Sequence, residues 1–426
     1  MKNMFPSLPG WAVALAVAAA PAYVAGQQAL TWDQVKARFE AANPALKADA
    51  MNVDEAHAQE ITAYLRPNPT FNLSADGTQI ALNNGVWQPL KGTFIVPTVS
   101  YLHEREHKRE LRLESAQAGT RIAASEHEDL KRTLEFTLRT AFVNTLQAKA
   151  ILELARAELD YYDHVIQISR DRFHAGDIAQ IDLDRIELQR VQYETEIQAA
   201  MVNLRTAKIQ LLQLLNDRTP VEKFDVDGPF EFSEDLKPLD DFRQAALQAR
   251  PDLQAALQAI QQSETNHKLA VANGSTDPTF SGWYTYNSSN NNPIGTQTLG
   301  LGVSVPLRIF DRNQGEKQRT LIDIDRSRQA SEAARAQVFS DVDSAYAQVE
   351  SNIALLKPYK AKYRDQATRV RDTVTYSYQH GGASLMDMLS AQSDYRQVQL
   401  AYLQLIGAYL NAAGQLILAV GREVIP

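Results

Sequence analysis

The chain has 426 residues, which suggests roughly two or three globular domains, and 44% of them are hydrophobic, enough to bury a core. It carries 43 Lys and Arg against 51 Asp and Glu, a formal net charge of −8. This acidic balance argues against a nucleic-acid partner, because neutralising phosphates requires clustered basic side chains. The absence of cysteine excludes disulfides, thiolate metal sites, a cysteine nucleophile and a lipid anchor on cysteine.

Residues 1–26 have the pattern of a secretory signal peptide. A lysine near the N terminus precedes an apolar run at 11–20 and then small residues, which predicts cleavage near Gly26/Gln27. The alternative is a buried N-terminal helix. After this segment, no stretch reaches the roughly 18 apolar residues of a membrane helix. We therefore expect an exported chain whose membrane spans, if it has any, are β-strands.

An internal duplication is the clearest feature of the remaining sequence. Two groups of residues recur 205 positions later in the chain: Phe173-His174-Ala175-Gly176 and Asp182-Leu183 correspond to Tyr378-Gln379-His380-Gly381 and Asp387-Met388. Earlier in each half, Val96-Pro97 corresponds to Val305-Pro306 at an offset of 209. The larger offset predicts about one extra helical turn in the first long helix. Two similar halves indicate a repeat architecture.

Residues 138–173 and 388–419 carry apolar and small residues at heptad spacing, which is typical of helices packed as coiled coils. The first long helix is predicted from Thr98 to Phe173, 76 residues, and would be roughly 114 Å long if wholly helical. The second long helix, about Asp311 to His380, is less regular and contains Pro358, which predicts a kink midway. A shorter helix follows each of them.

Short segments with alternating apolar and polar residues predict two β-hairpins. The four predicted strands lie at 70–76, 86–96, 279–286 and 299–305. The strand at 86–96 is the weakest, since Gln88 and Gly92 interrupt its apolar face. Polar turns at 83–85 and 287–293 join the strands of each pair. Segments of roughly ten residues also have the length of transmembrane strands.

Four prolines mark the predicted transitions between helix and strand. Proline lacks an N–H group and restricts the residue before it, so it is common where one element must end. Pro67 and Pro97 bracket the first hairpin, and Pro278 and Pro306 bracket the second.

These features predict a division of the chain into a signal peptide, two repeats and a linker. The first repeat covers 27–215, with a hairpin at about 68–97 and a helical tip near 176; the linker covers 216–241; the second repeat covers 242–426, with a hairpin at about 278–306 and a tip near 381. The linker has nine acidic and three basic residues and contains three prolines, so we expect an irregular connection rather than a domain.

The segment from Val305 to Glu316, VPLRIFDRNQGE, resembles the PL-x-(I/L)-F-x-R-N-x-G segment of TolC-like outer membrane efflux proteins. Arg250-Pro251-Asp252-Leu253 at a helix start and the repeated order of helix, hairpin, long helix and short helix are also similar to this family. The motif favours the CzcC-like heavy-metal branch. The chain departs from the pattern at His107, where family members often have Gly, and in lacking the cysteine of the many lipoprotein members.

The resemblance implies a mainly α fold with a small β part. It implies a long α-helical coiled-coil periplasmic barrel, a transmembrane β-barrel shared between protomers and two structural repeats per chain. It also implies a homotrimer, and the strand number agrees: four strands per chain cannot close a barrel, and open edges are not tolerated in lipid. A dimer would give a tightly filled barrel of about eight strands, and a trimer would give about twelve strands and a pore.

By the same resemblance, the protein is a passive export duct in the outer membrane, with a long periplasmic extension and no lipid anchor or cofactor. Energy would come from an inner-membrane pump of the RND type, reached through a periplasmic adaptor (membrane fusion protein). The expected substrates are heavy-metal cations. The pattern supports no catalytic residues and no metal site, because His103 and His107 have a helical metal-binding spacing but no third ligand.

The candidate tip residues are Gly176 and Gly381, which follow the long helices. Glycine tolerates positive φ, so both residues are predicted helix C-caps. In the family that the chain resembles, these tips also close the duct and dock the adaptor.

The candidate gate residues are acids at the start of the helices that follow the tips, Asp182, Asp184 and Asp387. An acid in a first helical turn interacts favourably with the helix macrodipole, which is sufficient local reason for its presence. The resemblance matches Asp387 to an aspartate that forms a ring at the closed entrance. A second family acid one turn later is replaced by Ser390, which predicts a less acidic constriction.

Two other functions stay open. A drug efflux or type I secretion channel would have the same fold, since substrate choice lies in the pump. A periplasmic coiled-coil adaptor or spacer would also have long heptad helices, but with one coiled hairpin and lipoyl-like strands. The duplicated hairpins argue against an adaptor, and no motif indicates an enzyme.

Overall fold

In a computed structural model of the chain, residues 29–287 and 296–424 are described. The predicted signal peptide and residues 288–293 of the predicted second turn lie outside them. The helices are α1 Trp32–Ala42, α2 Pro44–Tyr64, α3 Lys108–Ala175, α4 Gln180–Leu214, α5 Leu239–Ala249, α6 Pro251–Asn273, α7 Gln314–Pro358, α8 Arg364–Gln379 and α9 Leu385–Val420. The strands are β1 Thr70–Asp76, β2 Phe94–Leu102, β3 Thr279–Asn287 and β4 Gln297–Ser304. The fold is mainly α with a small β part, as the sequence predicts.

The two repeats follow the same order of elements. The prolines that begin α2 and α6, Pro44 and Pro251, are 207 residues apart. The N-caps of α3 and α7, His107 and Asn313, are 206 residues apart. The tip glycines, Gly176 and Gly381, are 205 residues apart. The predicted extra turn in the first long helix is therefore wrong. Its basis fails because Val96-Pro97 lies inside β2, whereas Val305-Pro306 follows β4.

The first long helix, α3, has 68 residues and begins at Lys108 rather than at Thr98. At roughly 1.5 Å per residue it is about 100 Å long. Thr98 instead lies in β2, where strand pairing on both sides satisfies its backbone. The predicted hairpin at 68–97 accordingly extends to Leu102.

The second long helix is interrupted where proline predicts a kink. The 45-residue α7 ends at Pro358, a wide π turn covers Tyr359–Tyr363, and α8 continues for 16 residues. Proline removes one backbone hydrogen bond and clashes with the preceding turn, so the helix widens to accommodate the ring.

The four strands form one antiparallel sheet in the order β1-β2-β3-β4. Within the described residues, β1 and β4 each have a strand partner on one side only. The strand predicted at 86–96 begins instead at Phe94, because the preceding residues form a loop closed by the Asn83–Val86 bridge. The predicted turn at 83–85 is present in that loop.

The prediction that Pro97 marks a transition is wrong, because it pairs with Leu73 in the middle of β2. On the other side of β2, residues 96 and 97 have no partner on β3: the pairs are Ile95↔Tyr286 and then Thr98↔Trp283. Proline is tolerated there because β3 accepts no hydrogen bond from residue 97. The other prolines lie at transitions: Pro67 between α2 and β1, Pro278 directly before β3 and Pro306 after β4.

The helices next to the sheet continue its order. α2 leads into β1, α3 follows β2, α6 leads into β3 and α7 follows β4, and these helices pack as α2–α3–α6–α7. Farther from the sheet, α3 packs against α4 and α9, and α9 packs against α7 and α8. The described part of the protomer is therefore a layer of helices that continues a sheet whose two edge strands, β1 and β4, each have a partner on one side only.

The predicted linker is more ordered than expected. Phe224 and Val226 are buried with residues of α1, α3 and α4, and Phe232 is buried with residues of α5, α7 and α9. Val226 also forms a parallel bridge with Leu30. Helix α5 starts at Leu239, slightly before the predicted start of the second repeat at 242.

Among the described residues, one helix, α9, is long and apolar enough to span a membrane by length and composition. This differs from the expectation that the mature chain has no such stretch. Half of the most apolar part of α9 is buried in the structure, and α9 packs against α3, α7 and α8. It therefore has the packing of a core helix.

Candidate functional site

The sheet has one apolar and one polar face, because its residues alternate in matched rows across all four strands. One row is Phe71↔Val99↔Gly282↔Leu301, and the next row is Asn72↔Thr98↔Trp283↔Gly300. The apolar face is largely exposed, with Leu301 81% and Phe71 66% exposed. Its other large exposed side chains are Leu73, Ile95, Val99, Phe280, Tyr284, Tyr286, Leu299 and Val303. An exposed apolar surface of this extent needs lipid or protein to cover it.

Strand and helix join through a buried ion pair. Lys108, at the first turn of α3, is 3% exposed, and its Nζ lies 2.6 Å from Oδ2 of Asp277. Oδ1 of Asp277 accepts a hydrogen bond from the Arg105 backbone N–H at 3.0 Å. The same junction holds Glu106 and His107 at φ 56° and 55°. The left-handed backbone at His107 explains why glycine suits this position in the family that the chain resembles.

Both tip glycines cap their helices through positive φ. Gly176 has φ 84° and Gly381 has φ 75°, and a Cβ at either position would meet no atom within 4 Å. In both repeats, the backbone N–H of the residue after the glycine donates to the carbonyl five residues earlier in the chain. Asp177 donates to the Arg172 carbonyl at 2.9 Å, and Gly382 donates to the Ser377 carbonyl at 2.7 Å. Glycine is required here by the backbone and not by crowding.

Asp387 belongs to a capping box that begins α9. Its Oδ2 lies 2.6 Å from the Ser384 Oγ and accepts the Ser384 backbone N–H at 3.1 Å, while the Asp387 N–H donates to the Ser384 Oγ at 3.2 Å. The hydrogen bond from the Ser384 hydroxyl holds the pKa of the Asp387 carboxyl below its usual range. The Asp387 side chain therefore has a local structural role.

The other gate candidates occupy less constrained positions. Asp182 is half-buried in the first turn of α4, where the N-cap is Ala179, and Asp184 is exposed and accepts a hydrogen bond from Gln180 at 2.7 Å. Ser390 is exposed one turn after Asp387. Within the described part of the chain, no hydrogen bond joins these side chains to one another.

The two tips contact each other through Arg172 and Tyr378. The Arg172 Nη1 donates to the Tyr378 carbonyl at 2.5 Å, and its guanidinium lies 5.0 Å from the centre of the Tyr378 ring. Tyr378 is buried in a cluster that joins both repeats, with Tyr162, Val165, Ile166, Ile186, Tyr193, Leu385 and Met388.

Farther from the tips, a buried carboxylate joins the same helices. Glu158 of α3 is 3% exposed and accepts a hydrogen bond from the Gln392 Nε2 of α9 at 2.6 Å. Burial raises the pKa of the Glu158 carboxyl, against the opposing charge of Arg371. The repeats are thus held together by polar and apolar contacts near the tips.

Sequence reasoning missed Ser384, Arg172 and Glu158. The S-x-x-D pattern from Ser384 to Asp387 before an apolar run is a readable sign of a capping box. Arg172 and Glu158 are revealed only by packing between helices distant in sequence. The described residues include no group of three or more His, Cys, Asp or Glu that could hold a metal, and His103 precedes α3 rather than lying on it.

An antiparallel sheet with one apolar face and two edge strands that are unpaired within the described residues, continued by a helix about 100 Å long, defines an outer membrane channel protein. Comparison with known proteins agrees. The sequence model of the family described as "Outer membrane efflux protein" matches residues 242–422. The outer membrane protein TolC of Escherichia coli K12 is 24% identical over 414 residues, 92% of this chain and 80% of TolC.

A second relative is the cobalt-zinc-cadmium resistance protein CzcC of Cupriavidus metallidurans, 22% identical over 371 residues, 84% of this chain and 82% of CzcC. Among solved structures, the channel protein CusC matches with a TM-score of 0.77 at 17% identity, covering 92% of both chains. Residues 242–422 thus match the outer membrane efflux protein family, and over most of its length the chain is similar in sequence and fold to TolC-like outer membrane efflux channels.

Proposed function

We propose that three copies of this chain close one β-barrel and form a passive duct through the outer membrane. The observation that carries this proposal is the sheet, in which β1 and β4 lack a second partner strand within the described residues. Unpaired backbone groups in lipid cost several kcal/mol each. Pairing β4 of one copy with β1 of the next satisfies them, and three copies with four strands each supply about twelve strands.

A heptad stripe on α4 supports the same assembly. Ile181, Leu188, Val202 and Ile209 are spaced by multiples of seven residues and are between 48% and 72% exposed. Such a seam is typical of a helix that packs against another helix. Because α4 packs mainly against α3 within the described residues, a second copy is the suitable partner for this exposed seam.

The helical tips are the proposed end for docking a periplasmic adaptor, through which an inner-membrane pump of the RND type would supply energy. Gly176 and Gly381 lie at the ends of α3 and α8, opposite the ends at which the long helical segments leave the strands, and both turns are exposed. Three Asp387 carboxylates at this end form the proposed gate, in addition to the role of each in its capping box. The two repeats at 27–215 and 242–426 would contribute one tip each.

The proposed substrates are heavy-metal cations. This rests on the motif from Val305 to Glu316 and on the likeness to CzcC, whose name specifies cobalt, zinc and cadmium. A drug or type I secretion substrate is the competing outcome, because the fold is common to both.

Native mass spectrometry of the protein extracted in detergent tests the assembly, and a monomer with a closed barrel would contradict it. Deletion of the gene tests the substrate. Loss of zinc, cobalt or cadmium tolerance is expected, whereas unchanged metal tolerance with new sensitivity to dyes or antibiotics would show that the metal assignment is wrong.

A further inference from the structure

Trp283 lies on the polar face of the sheet, at the middle of β3. Its neighbours across the sheet are Thr98 on β2 and Gly300 on β4. The rest of this face away from the strand ends is mostly small or polar: Asn72, Ser74, Val96, Ser100, Ser281, Thr285, Thr298 and Gly302. Phe94 is at the end of β2, so Trp283 is the aromatic residue at mid-strand on this face of the described sheet.

The indole of Trp283 lies across two glycines of the neighbouring strand. A Cβ on Gly300 would be 2.3 Å from its Cε2, and a Cβ on Gly302 would be 2.9 Å from its Cζ3. Neither glycine has a positive φ, so the strand conformation alone does not require glycine at these positions. The glycines are required by the indole, which occupies the space that their side chains would fill.

Part of the indole remains open to solvent. Trp283 is half-buried, and its Nε1 donates no hydrogen bond within the described residues. The ring is therefore held against the glycines on one strand, while part of the side chain stays exposed and its N–H has no protein acceptor among the described residues.

We propose that Trp283 is an aromatic binding site for organic cations in the wall of the pore. This rests on the proposed trimeric barrel, in which the apolar face contacts lipid and the polar face lines the lumen. Three copies would place three indoles at one level of the channel. A cation over an indole face is attracted by the ring quadrupole. Organic cations would be held briefly there, whereas hydrated metal ions would pass with less contact.

A purely structural role is the competing explanation, because an aromatic ring that covers glycine also stabilises a sheet. The two explanations differ in their effect on passing cations. We would measure block of the purified trimer in planar bilayers by tetraphenylphosphonium, comparing the half-blocking concentration between variants.

Trp283→Ala should raise the half-blocking concentration roughly two- to five-fold, which corresponds to about 0.5–1 kcal/mol. Trp283→Phe should give a smaller increase, because the ring is retained. Tyr284→Ala is the matched control, since Tyr284 is adjacent in sequence but lies on the apolar face, and its half-blocking concentration should equal that of the wild type.

Equal block of the wild type, Trp283→Ala and Trp283→Phe channels would overturn the proposal, as would an equal effect of Tyr284→Ala. Native mass spectrometry of each variant identifies any that fails to assemble, and Trp283→Phe then provides the comparison. Failure of the wild type to conduct would instead contradict the proposed function and is recognisable before any variant is compared.

Discussion

The two tips of the molecule have the same backbone but different side-chain support. Gly176 and Gly381 both end a long helix with positive φ and the same pattern of backbone hydrogen bonds. The following helix is capped only in the second repeat, where Ser384 and Asp387 form a capping box. In the first repeat the equivalent N-cap is Ala179, and its side chain provides no cap.

This difference indicates that the duplicated halves have specialised around a common turn. The second tip fixes its acid in a defined position, whereas the acid of the first tip, Asp182, has no such partner on the N-cap side chain. The first tip instead supplies Arg172, which binds the carbonyl of Tyr378 in the second. The second tip therefore has a capped following helix, and the first tip provides the arginine that joins the two tips.

The largest expected effect comes from replacing the glycine with positive φ that both tips have in common. Gly381→Val places a β-branched residue at φ 75°, which should cost about 2 kcal/mol of local stability. Gly176→Val should cost a similar amount, because both sites lack crowding at Cβ. Hydrogen exchange of the tip amides measures this. Gly381→Asn is the milder control, and an unchanged exchange rate in Gly381→Val would show that the turn can adopt another conformation.

Breaking the contact between the tips should have the next largest effect. Arg172→Ala removes a charged hydrogen bond to the Tyr378 carbonyl and a cation–π contact, and should cost about 1.5 kcal/mol. Arg170→Ala is the matched control, because Arg170 pairs with Glu187 within its own repeat and at the surface. Hydrogen exchange at the end of α8 should increase only in Arg172→Ala; an equal increase in both variants would contradict the role of Arg172 between the tips.

Exchanging the N-cap residues of α4 and α9 should reverse the difference in stability between the first turns of these two helices. Ser384→Ala should lower the stability of the first turn of α9 by about 1 kcal/mol, and Ala179→Ser should stabilise the first turn of α4 by up to a similar amount. Exchange rates of the amides in these two turns measure both effects. No change in α4 on introducing serine would indicate that its backbone geometry, and not the missing hydroxyl, prevents capping.

The smallest expected effect on stability, with a distinct effect on conduction, concerns the acids. Asp387→Ala should reduce cation selectivity in planar bilayers while the trimer persists, and Asp182→Ala is its counterpart in the first repeat. Hydrogen bonding from Ser384 lowers the pKa of the Asp387 carboxyl from 3.8. Because the pKa of Asp387 is lower in the folded than in the unfolded chain, the ionised carboxylate stabilises the helix at pH values above its unfolded-state pKa. This stabilisation is lost as the pH falls through the folded-state pKa.

Selectivity due to Asp387 should therefore be constant from about pH 8 to about pH 5 and should decline only in stronger acid. Wild-type reversal potentials across this range measure it. A decline already near pH 6 would mean that repulsion between three carboxylates outweighs the effect of the capping box, and unchanged selectivity in Asp387→Ala would leave Asp387 with its capping role alone.

The sequence predicts the helices well because heptad periodicity, prolines and glycines are local signals. Pro358 directly precedes the π turn, and Gly176 and Gly381 lie at the ends of helices. The predicted start of the first long helix is wrong because Val96-Pro97 has the sequence pattern of an element boundary. Pro97 instead fits inside β2, since no residue of β3 pairs with it and needs its N–H as a donor. Only the register of the assembled sheet reveals this.

The site could be predicted in part for the same reason. The capping box of Ser384 and Asp387 is written in four consecutive residues and was available to sequence reasoning. The contacts of Arg172 with Tyr378, of Glu158 with Gln392 and of Trp283 with its glycines join segments far apart in the chain or depend on strand register. Neither periodicity nor spacing encodes such pairs.

The free edges of β1 and β4 have a consequence for how the protein reaches its membrane. A single copy inserted into hydrocarbon would leave backbone donors and acceptors along two strands without partners. In the proposed trimer, insertion and association would therefore be one event, and the rate of barrel formation should rise steeply with the local concentration of chains. Until copies meet, the exposed strands remain aggregation-prone, and a chaperone that shields strand edges would have most to protect during that interval.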